Sequence, residues 1–417
     1  MELNSITKSS LLNSNIKFNQ AYDSLSLSNY NYFDPIRNSG VRTEMNGKKL
    51  IHFSAMDYLS FTQDARVIEA GREALKQYGS GCSSSMPGGG NLQIHSALCE
   101  ELADFLHKES VMLLPTGYQA QYGFSSFNII NGGKIFADNL DHSSIIDGIA
   151  MGLGNFQDKF GRVHYFMHNS YEHFQSIHCD NHIESMYDVL FIEGTYSMDG
   201  DYPDLEKFTT YCNENNILIA VDEAHSMGVF GDHGRGITSA FKLTDDVDFI
   251  LGTFSKSFAN IGGYIAGKKE HIDFMKVNMN TYLFSASITP PTVEMVRCIL
   301  KILRDDDSKQ IKLWENIKYM QQCCKQSNID IGNSDSSVFP IYIRDSKKTI
   351  VYAKKMLEKG IFVKPIIFPA VKTGQERIRV TMNAGHSKND IDSLIDAFNV
   401  IRKEIELVKV EDLNYGC

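Results

Sequence analysis

Three residue types that can act together, an aspartate, a histidine and a lysine, fall at the ends of two apolar runs between Ile217 and Gly263. The run ILIAV ends in Asp222 and, three residues later, His225. The run VDFIL leads to Thr253, Ser255 and Lys256, then to small residues and the pair Gly262–Gly263. A lysine amine can form a Schiff base with an aldehyde. A carboxylate can keep a pyridine nitrogen protonated, and an imidazole can hydrogen-bond a ring hydroxyl. Together these are what pyridoxal phosphate (PLP) requires, because the protonated ring accepts the electrons of a carbanion.

Blander readings of the same residues are weaker. VDEAH resembles the metal-binding strand of a DEAH-type helicase, and GGYIAGKK fits G-x-x-x-x-G-K. Lys269, however, stands where a P-loop needs Ser or Thr for magnesium. The glycine–lysine stretch also follows the DEAH element, whereas an NTPase carries it upstream. Most lysines are solvated, but the surroundings of Lys256 are not those of a solvated face. His164, His168, His173, His178 and His182 form a second histidine-rich span. Two histidines on one helical face can hold zinc. VHYFMH reads as a strand, though, and no cysteine or carboxylate completes a ligand set, so a surface histidine run and no metal site is expected.

The elements that must position Lys256 follow from pattern. Both apolar runs have the length and β-branched content of buried parallel strands, and open α/β sheets present ligand groups at strand ends. From residue 111, VMLLPT leads into GYQAQYGFSSFNII, KIFAD into HSSIIDGIAMG, VHYFMH into YEHFQSIH and VLFIEGTYS into DLEKFTTYCNENN. This alternation predicts a mostly parallel sheet covered by helices. Upstream, DARVIEAGREALKQYG predicts a helix with Asp64 near its start and Gly79 as its stop; the loop SGCSSSMPGGGN and the helix LQIHSALCEELADFLHK follow. Two long helices near 291–304 and 308–326, then SVFPIYI, IFVKPII, RIRVTMN and a last helix, predict a smaller α+β domain with its own core. The expected division is an N-terminal arm at 1–48, a PLP-binding large domain at 49–290 and the small domain at 291–417.

With 417 residues, 42% of them hydrophobic, the chain can bury a core across two or three domains. Lys and Arg number 41 against 51 Asp and Glu, a net charge of −10, which gives no general attraction to nucleic acid or anionic lipid. The 8 cysteines contain no CxxC pair and read as reduced thiols. No run reaches transmembrane length, and the N-terminus lacks a secretory apolar region. A cytoplasmic enzyme is expected, with at most peripheral membrane contact.

The stretches VDEAHSMGVFGDHGRG, GTFSKSFANIGGYIAG, LFSASITPP, LPTGYQAQYG, DNLDHSSIIDG, EGTYSMDGD and RIRVTMNAGHS occur in an order that resembles the α-oxoamine synthases. These are PLP enzymes of the aspartate-aminotransferase fold (fold type I), and the likeness runs from about Tyr32 to Leu407. GTFSKS and FSASITP look most like the bacterial serine palmitoyltransferase branch, whereas GQERIRVTMNAGHS is nearer the ketobutyrate ligases.

The resemblance implies a role for each matching residue. Lys256 is the Schiff-base lysine and proton shuttle, Asp222 the partner of the pyridinium nitrogen, and His225 that of the phenolic oxygen. His142 stacks on the ring face; the bland reading is a histidine capping the helix that it precedes. The amides of Gly117 and Tyr118 suit the phosphate, Thr253 and Ser255 add hydroxyls there, and Ser197 sits near the phenolic oxygen or the phosphate. Ser285 or Ser287 reaches the phosphate of the neighbouring subunit, because this family's site lies across a homodimer interface. Arg379 receives the amino-acid carboxylate through a bidentate fork. Its rival, Arg377, lies two residues away on the same strand face, so periodicity does not separate them. Ser85–Met86 and PGGGN depart from the family pattern near the substrate entrance, and Asp57 takes a place that is Asn or Asp in relatives.

The implied reaction is a decarboxylative condensation of a small amino acid, serine first, with an acyl thioester, a long-chain acyl-CoA or an acyl-carrier-protein thioester, giving an α-amino ketone and CO2. Glycine with a short acyl-CoA, an aminooxononanoate synthase-like pairing or a specialised-metabolite or signal synthase is the alternative. Aminotransfer on the same fold and a non-catalytic partner subunit are the rivals of other classes.

Overall fold

The computed structural model describes residues 34–154, 161–180 and 185–407. Most of the expected N-terminal arm, and His182, lie outside the described residues. The first strands are β1 (Arg42–Met45) and β2 (Lys48–His52), an antiparallel hairpin.

The alternating region forms one seven-stranded sheet from β3 (Ser110–Leu114), β4 (Gly133–Asp138), β5 (Val163–Phe166), β6 (Tyr187–Glu193), β7 (Ile217–Asp222), β8 (Phe249–Thr253) and β9 (Gly263–Gly267). Their order is β3-β9-β8-β7-β6-β4-β5. β9 runs antiparallel to both its neighbours, and the other pairings are parallel. Every residue of β4, β8 and β9 is buried, as expected of strands covered on both faces. The sequence pattern had not marked GYIAG as a strand, because two glycines in five residues break the β-branched signal.

The helix Ala65–Tyr78 is capped by Asp64, which accepts from the Arg66 amide, and stops at Gly79. The helix Gly117–Ile130 is capped by Thr116, whose hydroxyl accepts from the Gln119 amide. One face of the large sheet is covered by the helices Gly117–Ile130, Ser143–Gly154 and Lys269–Asn278.

The C-terminal part contributes β10 (Val338–Tyr342), β11 (Ile361–Phe362), β12 (Lys364–Ile366) and β13 (Arg377–Thr381). β13 lies between β10 and β12, antiparallel to both. β11 pairs with β2, so β2 crosses the boundary expected at residue 48 and joins the C-terminal elements. One continuous apolar cluster runs from Phe53 and Tyr58 through Phe208 and Val221 to Leu313, Val338 and Ile401. The helices Pro290–Asp305 and Ser308–Gln326 cause this, since each contributes buried side chains to that cluster. No helix among the described residues is long and apolar enough to cross a membrane.

Candidate active site

The ends of β6, β7 and β8 and the start of the helix Gly117–Ile130 enclose a cavity of about 350 Å³. Its lining includes Gly117, Tyr118, His142, Asp222, His225, Thr253, Ser255 and Lys256, all expected from the sequence. Strand register brings them together: Glu193 at the end of β6 lies opposite Asp222 at the end of β7, and Asp222 lies opposite Leu251 of β8.

The two acidic residues of DEAH do different things. Asp222 accepts the Ala224 amide at Oδ1, 2.9 Å away, and lines the cavity. Glu223 is fully buried and turns away, accepting from the amides of Ile237 and Thr238 and from the hydroxyls of Thr238 and Ser226. It ties down the loop SMGVFGDHGRG, so that His225 is held from both sides.

Lys256 sits in a short loop closed at its base. The Phe254 amide donates to Gly262 O at 2.9 Å and the Asn260 amide to Phe254 O at 2.8 Å. The Thr253 hydroxyl also reaches Gly262 O, at 2.9 Å, and lies 2.9 Å from the Ser255 hydroxyl. A Cβ on Gly117 would come within 2.6 Å of Thr253 Cβ, so only glycine lets the helix start approach this strand end.

Electrostatics suit proton transfer. Desolvation pulls the Lys256 ammonium down to about 8, against the opposing pull of Asp222 and Glu193. Burial, helped by the positive charge of Lys256, Arg379 and His142, drives His225 well below the usual histidine range. His142 is lowered by burial and by Lys256. Its Nδ1 accepts the Ser144 amide at 3.2 Å, so the capping role and a place in the cavity wall both hold.

Arg379, Ser197 and Ser287 are not among the cavity-lining residues. Arg379 Nη1 reaches Ser197 O at 3.3 Å, and its charge is felt by Lys256, His225 and His142. Arg377 is buried and engaged: it donates to Asp199 at 2.7 Å and to Met198 O at 2.9 Å, and it stacks over Tyr342. Ser287 bonds Ser84 O, and Ser285 accepts from Gln119. The Asp57 carboxylate caps the amides of Phe61 and Thr62.

Sequence reasoning missed Glu193 and Tyr58. Glu193 Oε1 is buried without a hydrogen-bond partner at the cavity wall. Burial, then the Asp222 charge, push this carboxyl well above its usual range. The signal was present, since VLFIE ends in Glu193 as ILIAVD ends in Asp222. Tyr58, bonded to His225 across 167 positions, had no local signal. The described histidines of the run are half-buried and hydrogen-bonded. His168 bridges Asp138 and Asp201, His178 contacts Tyr211, and His173 accepts the Met167 amide.

The donor set fits PLP: an amine for the aldehyde, a carboxylate for the ring nitrogen, imidazoles for ring and oxygen, and helix-start amides with two hydroxyls for the phosphate. Residues 48–398 match the family described as aminotransferase class I and II. The chain is 35% identical over 379 residues to a serine palmitoyltransferase of Sphingobacterium spiritivorum, covering 91% of this chain and 93% of that one. It is 34% identical over 366 residues to an 8-amino-7-oxononanoate synthase of Petrotoga mobilis, covering 88% and 92%. Among solved structures, a serine palmitoyltransferase from S. paucimobilis with a bound PLP–myriocin aldimine superposes with a TM-score of 0.87 at 26% identity, over 95% of this chain and 100% of that one.

Proposed function

The chain belongs to the aminotransferase class I and II family and is a PLP-dependent α-oxoamine synthase; within that activity we propose that it condenses serine with a long-chain acyl-CoA, releasing CO2. The observation that carries this reading is the meeting of Lys256, Asp222, His225 and His142 around one cavity, with Arg379 electrostatically linked to it.

Bound PLP supplies an electron sink for the charge that develops at the amino-acid α-carbon. Arg379 grips the substrate carboxylate, because Arg377 is already committed to Asp199 and Met198. Lys256, its amine largely neutral above about pH 8, takes the α-proton at Nζ. Asp222, with Oδ1 fixed by Ala224, leaves Oδ2 to keep the ring nitrogen protonated. His225 donates to the ring oxygen, and His142 covers the ring face. The amides of Gly117 and Tyr118 and the hydroxyls of Thr253 and Ser255 hold the phosphate. Ser197 lies beside Arg379 and acts on the carboxylate side.

The working unit is a cytoplasmic homodimer with shared sites. Ile261 at the cavity is exposed, as is Phe284 beside Ser285, apolar surface that a second copy would cover. Ser285 or Ser287 then serves the neighbour's phosphate.

Serine is preferred for GTFSKS and FSASITP and for the names of the relatives at 34–35% identity. A second reading, alanine or glycine with a different acyl thioester, draws on relatives at 34% named 8-amino-7-oxononanoate synthase. Incubating PLP-loaded protein with serine, glycine and alanine against acyl-CoA and acyl-carrier-protein thioesters of graded length, with mass spectrometry of products, decides between them. A long-chain amino ketone from serine is expected, with Lys256→Ala inactive. Turnover without an acyl thioester, or in Lys256→Ala, overturns the reading.

A further inference from the structure

We propose that Tyr58 is a positioning residue that fixes His225 as the Nε2–H tautomer, so that a neutral imidazole presents a donor to the cavity. The inference rests on the reading of that cavity as a PLP site.

Tyr58 is fully buried, and its Oη lies 2.6 Å from His225 Nδ1. That length belongs to an O–H donor rather than to an N–H donor, whose bonds centre near 2.9 Å. The phenol therefore donates and Nδ1 accepts. Charge supports this direction. The Arg379 guanidinium acts on the phenol oxygen, favouring its lone pairs and turning the hydrogen towards His225. Burial raises the phenol far above its usual range, so the proton stays on oxygen. The charged groups acting on His225 are Lys256, Arg379 and His142, and all three oppose a second proton on the ring. A neutral imidazole has one N–H, and with Nδ1 accepting, that proton resides on Nε2.

The backbone makes this arrangement rigid. The Ala384 amide donates to Tyr58 O at 2.7 Å, and the Asp57 carboxylate holds the turn that follows through Phe61 and Thr62. Tyr58 thus joins His225, through its hydroxyl, to the segment that follows β13, through its carbonyl.

The test uses the full chain with ¹⁵N-labelled histidine, with and without PLP, the His225 signal being identified by its loss in His225→Gln. Wild type is expected to carry the proton on Nε2 with Nδ1 bare. Tyr58→Phe keeps the ring packing and removes only the donor. It should shift protonation towards Nδ1, weaken PLP binding about tenfold and change the visible absorbance of the bound cofactor. A purely structural role would lower the melting temperature and leave the tautomer alone. A proton on Nδ1 in wild type overturns the proposal, as does a Tyr58→Phe protein with the wild-type tautomer and spectrum. If Tyr58→Phe does not fold, the wild-type tautomer still decides. Failure of wild type to bind PLP would instead sink the functional reading, and the tautomer would remain legible without the cofactor.

Discussion

Arg377 and Arg379 point to the same side of one strand, yet their surroundings assign them different work. Arg377 has an ion partner, a carbonyl and a ring to stack on, whereas Arg379 has one long bond to Ser197 O and a weak contact with the Met198 sulfur. Arg379→Ala should therefore raise the KM for the amino acid about 10–100-fold with little change in melting temperature. Arg377→Ala should destabilise the fold by about 3 kcal/mol, because Asp199 loses its cation and keeps only the Tyr342 hydroxyl, and should leave KM nearly unchanged. Steady-state kinetics beside thermal melts of both variants separate the two outcomes. Lys256 makes a pH prediction. Its ammonium is lowered to about 8, so the neutral base is lost as pH falls below that value. The acid limb of kcat, measured once substrate has freed the lysine amine, should drop about tenfold per pH unit there, and a limb near the ordinary lysine range would contradict the assignment.

At the scale of elements, the loop after β5 is anchored by His168 between Asp138 and Asp201. Burial opposes its charge, but the bonds to Asp138 and Asp201 win and raise it to about 10. Because the folded value lies above the unfolded one of about 6.5, this contribution is complete below about pH 6.5 and is lost as pH rises through about 10. His168→Gln should cost about 3 kcal/mol at neutral pH and flatten the alkaline decline, as read from urea midpoints at pH 6 and pH 10. The same element shows where sequence reading stops. The run VHYFMH was legible as a strand from its alternation, but the partners of His168 lie 30 and 33 positions away. β9 escaped notice because its glycines carry no pattern, although Gly263 permits its close passage past Thr116 and Gly117. By contrast, Asp222, His225 and Lys256 were readable, since strand ends with polar residues advertise themselves. The place of Tyr58 and the weak hold on Arg379 depend on tertiary packing, which no local window contains.

For the molecule as a whole, the continuous apolar cluster joins the large sheet to the C-terminal elements. Calorimetry of the chain should accordingly give one unfolding transition, whereas two resolved peaks would mean that the halves are energetically independent. The seam between them is specific. Thr381 bonds the carbonyls of Phe53 and Ala55, Asn383 bonds that of Asp57, and Ala384 bonds that of Tyr58. A chain emerging from the ribosome can pair β3 to β9 well before β13 exists. Residues 53–58 must then wait for partners whose side chains bond them across 326 to 328 positions of the chain. The seam therefore closes only once Ala384 has been made, and a nascent chain that stops short of it holds Lys256 without the stitch between these two distant segments.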